Sequence, residues 1–224
     1  DGVRFPGGIS VSPFGWKGRQ ILVGIVRDTT ERLKTEEVHR SLSVAREVQQ
    51  HLLPGRAPVL EGFDRFAHSI YCDETGGDYY DFIPSVHQGE DGLGFLVSDV
   101  SGHGIGSALL MSMTKGMIHV ESEHCGNDLS ELFTVLNRHL CRFMGDAGFL
   151  TIFYGVIDPH RRTLQWSSAG HGPVYWFRKG RGRVSELATT GPPLGIVEDA
   201  CFETRGPVTL EEGDILLIGT DGLW

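Results

Sequence analysis

The sequence is poor in the features that mark secreted, membrane-spanning or nucleic-acid-binding proteins. Its four cysteines, Cys72, Cys125, Cys141 and Cys201, are widely scattered and form no Cys-x-x-Cys pair. That spacing offers no zinc knuckle and no disulfide framework, so reduced thiols in a cytoplasmic protein are the expectation. No run approaches the roughly 20 apolar residues that cross a bilayer, and no membrane span is expected. Lys and Arg number 20 against 29 Asp and Glu, a formal net charge of -9. The basic residues form no run, so a stripe that tracks phosphates is absent and nucleic acid is not an expected partner. Internal repeats and low-complexity segments are lacking too. The start, Asp1-Gly2-Val3-Arg4, has neither an initiator Met nor a signal-peptide pattern and reads as the interior of a longer protein.

What is present is a globular composition, 40% hydrophobic, which is enough for a sizeable core. Residues 1–30 carry Gly and Pro turns and then an apolar run, Ile21 to Val26, that reads as a strand. Asp28 and Glu31 have the spacing of a capping box, which predicts a helix start. From Glu31 to Leu53 there is no Gly and no Pro. Val38, Leu42, Ala45, Val48 (or Gln49) and Leu52 recur there at steps of three and four. One narrow apolar seam on a charged helix fits either a coiled-coil stalk, with a parallel homodimer through it, or packing against the following domain. Pro54-Gly55 ends the helix.

Beyond Pro54, strand-like runs appear at Arg65–Tyr71, Tyr79–Pro84, Gly94–Val100, Phe149–Asp158, Thr163–Ser168, Val174–Arg178, Arg183–Leu187 and Asp214–Gly219. Two segments have helical periodicity instead, Ile105–Glu123 and Asp128–Met144. In the second, Leu129, Leu132, Phe133, Leu136, Leu140 and Phe143 share a face. Short turns such as Asp158-Pro159-His160-Arg161-Arg162 join neighbouring strands and imply antiparallel pairing. The expected fold class is α+β, a largely antiparallel β-sandwich flanked by helices. The division this suggests is 1–30, a helical linker over 31–53, and a main domain over 54–224.

Asp78, Asp99 and Asp221 share an unusual setting, each at or beside a strand end in Gly-rich sequence. They lie in Gly76-Gly77-Asp78-Tyr79-Tyr80-Asp81, in Ser98-Asp99-Val100-Ser101-Gly102-His103-Gly104 and in Gly219-Thr220-Asp221-Gly222-Leu223. A carboxylate at a strand end is stiffly held yet reaches solvent, and flanking glycines let backbone and water come close. Such carboxylates, if they converge, repel one another unless a divalent cation lies between them. Hard oxygen ligands without a His/Cys cluster select Mg²⁺ or Mn²⁺ over Zn²⁺. Any one Asp-Gly turn is weak as a signal; the series of three is much more specific. His103 and His171 could be general acids, but the simpler reading is that each braces a Gly-rich turn.

These motifs, with Ala169-Gly170-His171-Gly172-Pro173 and Gly191-Pro192-Pro193-Leu194-Gly195, resemble the metal-dependent protein phosphatases (PPM). The likeness is nearest to the SpoIIE-like and RsbU-like bacterial serine phosphatases of sporulation and stress response, and it covers about residues 44–224. Val48-Gln49-Gln50-His51-Leu52-Leu53-Pro54 is similar to the helix end that opens that domain. The resemblance implies α-β-β-α layers and two bound ions, Mn²⁺ or Mg²⁺. It implies Asp99 bridging both metals with the Val100 backbone carbonyl completing one site, Asp78 on a metal or its water, Asp221 on the second metal, and Asp81 in support. The implied activity is hydrolysis of phosphoserine or phosphothreonine on a protein by water that the metals activate, and the implied partner is a STAS-type anti-sigma-factor antagonist. Val23-Gly24-Ile25-Val26-Arg27-Asp28-Thr29-Thr30 is similar to the end of a PAS sensor domain, which implies a signalling output. Family members continue past the equivalent of Asp-Gly-Leu with a helix and a strand bearing a further metal-binding Asp. On that basis the sandwich is expected to be incomplete at the C-terminus, and metal binding by the chain as given to be weak.

Two other classes compete. Gly102-His103-Gly104-Ile105-Gly106 follows a strand and opens a helix, as a nucleotide-binding turn does, but its spacing is not Gly-x-Gly-x-x-Gly and Asp99 would repel a pyrophosphate. A non-catalytic binding module on a phosphatase-like fold is the other, and the intact Asp78, Asp99 and Asp221 argue against it.

Overall fold

The computed structural model describes residues 4–17, 19–70, 75–87, 90–144 and 148–223. Contacts divide the chain into two units, Asp1–Arg46 and Glu47–Trp224. In the first, β1 (Gly7–Trp16) and β2 (Arg19–Asp28) form an antiparallel hairpin running from Gly7↔Asp28 to Trp16↔Arg19. The sequence reading took β1 for turns. Its glycines and Pro13 are tolerated because a two-stranded ribbon leaves an open edge on each strand, where a missing N–H costs nothing.

Asp28 does open the helix α1 (Thr30–Leu52), but through Thr30 and not Glu31. Its Oδ1 accepts the Thr30 N–H at 2.8 Å and the Thr30 hydroxyl at 2.6 Å. Along the expected seam Val38 and Val48 are exposed, whereas Gln49 is 3% exposed. The buried position near the end of α1, inside the second unit, is therefore a polar one.

The second unit holds two sheets. The larger joins β3 (Tyr79–His87), β4 (Glu90–Val100), β5 (Leu150–Asp158), β6 (Thr163–Ala169) and β9 (Arg205–Thr209), in that order. The smaller joins β10 (Ile215–Ile218), β7 (Val174–Arg178) and β8 (Arg183–Leu187). Every pairing between these strands is antiparallel, so the crossover that a dinucleotide-binding unit needs is not built around Gly102–Gly106. The expected strand at Arg65–Tyr71 does not form: residues 65–70 have no regular structure, with Phe66 and Ile70 exposed, and Tyr71 lies outside the described residues.

Helices α2 (Ile105–Cys125) and α3 (Leu129–Met144) pack together, α2 against β4 and α3 against β6. Leu129, Leu132, Phe133, Leu136 and Leu140 are all fully buried. Phe143 was expected on that face but is exposed and stacks on His139, while Met144, four residues after Leu140, takes the inward position. One core lies between these helices and the large sheet, built from Leu96, Val100, Met111, Phe133 and Ile152 among others. A second lies between the sheets, around Phe153, Leu164, Trp166 and Trp176. The layers are thus helices, large sheet and small sheet. The fourth layer of the expected sandwich is not among the described residues, and Val184, Ile215 and Leu217 are exposed on the small sheet.

Among the described cysteines, Cys125, Cys141 and Cys201 are free, and burial pushes the Cys125 and Cys141 thiols up, away from reactivity. Cys72 lies outside the described residues. No described helix is long and apolar enough to cross a membrane.

Candidate metal centre

Strand alternation places the acidic residues at one end of the sandwich. In β4, Leu96 and Val100 face the helices and Phe95 faces the small sheet, so Asp99 points between the sheets. Asp78 immediately precedes β3. Tyr79 is buried in the helix-side core, which turns Asp78 to the same inter-sheet side. From the small sheet, β10 runs into a short 3-10 turn that begins at Asp221.

The Asp78 and Asp99 carboxyl groups face each other within hydrogen-bonding reach, and the charge of Asp221 acts on both. Burial first, and then the charges of Asp78 and Asp221, push Asp99 up to about 7. Asp78 is raised as well, chiefly by burial, although Thr220 Oγ1 donates to its Oδ2 at 2.8 Å and works the other way. Among the described residues no three His, Cys, Asp or Glu side chains stand close enough together to hold a metal ion by themselves. Asp78 and Asp99 are the tight pair, and Asp221 stands on an exposed turn.

Gly77 lets the two strand ends meet. A methyl group at position 77 would stand 2.6 Å from the Val100 carbonyl oxygen, while the Gly77 carbonyl accepts the Val100 N–H at 3.4 Å. The strand ends thus pack too closely at position 77 for any side chain. The donors gathered here are all oxygens, the set that hard divalent cations take, and the raised Asp99 shows that the pair is costly without a proton or a cation between its members.

Two of the remaining residues singled out in the sequence, Asp81 and His171, are braces. Asp81 accepts from Tyr79, Lys115 and His119, the last at 2.8 Å. Burial alone would raise it, but these bonds and the Phe82 N–H hold it below the usual carboxylate range. It ties β3 to α2. His171 is 3% exposed, contacts Thr151 Oγ1 at 3.0 Å, and is lowered by burial to about 4. A neutral, enclosed imidazole is not placed to protonate a leaving group, and it supports Thr151, the partner of Asp99 across the β4–β5 ladder. His103 is exposed on its turn. Sequence reasoning missed Thr220 and Gln49. The first sits in a motif already noted, and the second interrupts an apolar seam.

The raised Asp99 has a consequence for stability. Between about pH 4 and pH 7 the folded protein keeps a proton that an unfolded Asp has already lost. Stability from this group is therefore full below pH 4 and is lost as the pH rises through 7. His171, lowered in the fold, has the opposite sign between about 4 and 6.5, so the parent's net profile mixes the two. The difference between parent and Asp99→Asn removes the His171 contribution and leaves that of the Asp78–Asp99 pair, both of whose members are raised. In EDTA, the variant is expected to melt higher than the parent at pH 7.5, by on the order of 2–4 °C, with the gap closing toward pH 4. Circular-dichroism melts across that range check this, and a gap that does not change with pH would contradict it.

Residues 89–224 match the family model of stage II sporulation protein E (SpoIIE). The phosphoserine phosphatase RsbU of Bacillus subtilis (strain 168) is 29% identical over 188 residues, 84% of this chain and 54% of that protein. The phosphoserine phosphatase RsbP of the same organism is 30% identical over 191 residues, 82% of this chain and 45% of that protein. The chain thus spans about half the length of these relatives. Among solved structures, the SiaA-PP2C domain of Pseudomonas aeruginosa superposes with a TM-score of 0.62 at 21% identity, covering 84% of this chain and 70% of that one, which shows the fold. With the family model matched over most of the second unit and the layered sheets of a PP2C domain, the chain belongs to the SpoIIE family and has the PP2C-type fold.

Proposed function

We propose that the chain carries the catalytic domain of a metal-dependent protein phosphatase acting on phosphoserine or phosphothreonine. The observation that carries this is the facing pair Asp78 and Asp99 under the charge of Asp221, at the strand end that carries the Val100 carbonyl. Asp78, Asp99, the Val100 carbonyl and Asp221 would hold two ions, Mg²⁺ or Mn²⁺. Such ions supply an activated water and neutralise the charge that develops on a transferring phosphoryl group. The chain's own part is to hold its oxygens in place: Thr220 orients Asp78, the β4–β5 ladder holds Asp99, and Gly77 lets its strand end approach the Val100 carbonyl. Neither Cys125 nor Cys141 has a nucleophile's setting, and hydrolysis by water needs none.

The names of the relatives favour phosphoserine, and the resemblance noted in the sequence implies that it is carried by a protein, a STAS-type anti-sigma-factor antagonist in a cytoplasmic stress-response circuit. The β1–β2 hairpin fits the end of a PAS-like sensor, with α1 as a linker through which a parallel homodimer could pass a signal. In the assay, the protein is incubated with a serine-phosphorylated protein and Mn²⁺. Release of inorganic phosphate that EDTA abolishes is expected; no release, or release indifferent to EDTA, refutes the reading.

A further inference from the structure

Gln49 is a polar residue where the helix seam calls for an apolar one. At 3% exposure its amide would be costly to bury unless both ends were hydrogen-bonded. Both are. Nε2 donates to the Gly76 carbonyl at 2.5 Å, and Oε1 accepts the Gly76 N–H at 3.1 Å. The side chain thus pairs with the Gly76 peptide as a neighbouring strand would, at a point just before the β3 ladder begins at Tyr79. The next residue, Gly77, leans on Val100, and the one after is Asp78, held at its carboxylate by Thr220. Three consecutive residues are therefore fixed from three directions, and Gln49 is the anchor contributed by α1. The end of that helix is seated independently, because Leu53 packs on the helix-side core.

We infer that Gln49 is a positioning residue for the carboxylate pair: by clamping the Gly76 peptide it sets where Asp78 stands against Asp99. Its role toward metal rests on the phosphatase reading; its hold on the loop does not. Partners that orient metal ligands without touching the ion change affinity by about 10- to 100-fold when removed. Gln49→Met keeps the length and bulk of the side chain and removes both bonds.

The experiment has two arms. In the metal-free protein, amide hydrogen exchange at Gly77, Asp78 and Tyr79 is expected to speed up roughly tenfold or more in Gln49→Met, with the amides of α2 and β5 unchanged. With p-nitrophenyl phosphate as probe, the Mn²⁺ concentration for half-maximal hydrolysis is expected to rise about tenfold, while kcat at saturating Mn²⁺ stays within about twofold. Leu53→Ala, which loosens the helix end without touching Gly76, should lower the melting temperature and leave both readouts where they were. Unchanged exchange in Gln49→Met overturns the clamp. Faster exchange with an unmoved Mn²⁺ midpoint overturns the positioning role. A parent that hydrolyses nothing with Mn²⁺ defeats the phosphatase reading and with it the metal role, while the exchange arm still decides whether Gln49 holds the loop. If Gln49→Met does not fold, Gln49→Glu, which keeps the acceptor and loses the donor, is measured in the same two ways.

Discussion

Asp99→Asn should cost about a thousandfold or more in kcat/KM toward a phosphoserine protein in saturating Mn²⁺, without unfolding the domain. The side chain keeps its shape but loses one anionic oxygen, and the amide presents an N–H toward either Asp78 or an incoming cation. Asp99 is the carboxylate on which the other two act most strongly, pushed up to about 7 by burial and by the charges of Asp78 and Asp221. It is thus where a cation relieves the most repulsion and where removing the charge forfeits the most binding. The same substitution should raise the metal-free melting temperature at neutral pH, for the linkage reason given above. A variant that is more stable and nearly inactive is the pattern expected of a site whose strain serves its function. Parallel measurement of melting and phosphate release tests both halves. Activity within about tenfold of the parent would remove Asp99 from the chemistry.

How far the sequence revealed this arrangement depended on whether the signal was local. Strands β7 and β8 were found at their observed ends because Pro173, Gly180 and Gly182 punctuate them. The face of α3 was read correctly through Leu140, since a four-helix-turn run of Leu and Phe has only one period. Strand β9 was invisible: Gly206 and Pro207 argue against a strand, and only its place at the edge of the large sheet, beside an irregularity between Leu164 and Trp166, makes room for them. The opposite error arose at residues 65–70, where Phe66 and Ile70 look like strand residues but meet no sheet edge. In the site, Asp78, Asp99 and Asp221 stood out because glycine flanks each one. Thr220 carried no such flag, because its role is a bond to a side chain 142 positions away. Gln49 had a faint one, a polar residue in a seam of aliphatic ones, but its partner Gly76 becomes apparent only in three dimensions.

Gly77→Val tests the same centre from the backbone side. The Cβ alone would lie 2.6 Å from the Val100 carbonyl oxygen, 3.2 Å from the Val100 Cβ and 3.3 Å from the Ser107 Cβ. None of these is the loose end of a flexible side chain, so the strand ends must move apart. Val100 is fully buried and Ser107 is locked by its bond to the Gly104 carbonyl at 3.0 Å, so the burden of movement falls on residues 76–78. Overpacking of this kind costs about 1–3 kcal/mol of stability. The larger effect is on activity, because a displacement of about 1 Å in a reacting group costs on the order of a hundredfold, and Asp78 is the next residue. Gly106→Ala is the matched control. It lies in the first turn of α2, a Cβ there meets nothing within 4 Å, and alanine favours a helix. It should hold or gain stability and keep its Mn²⁺ dependence, whereas Gly77→Val loses about two orders of magnitude in kcat/KM. Equal behaviour of the two variants would mean that the close approach of Gly77 to Val100 has no bearing on the reaction.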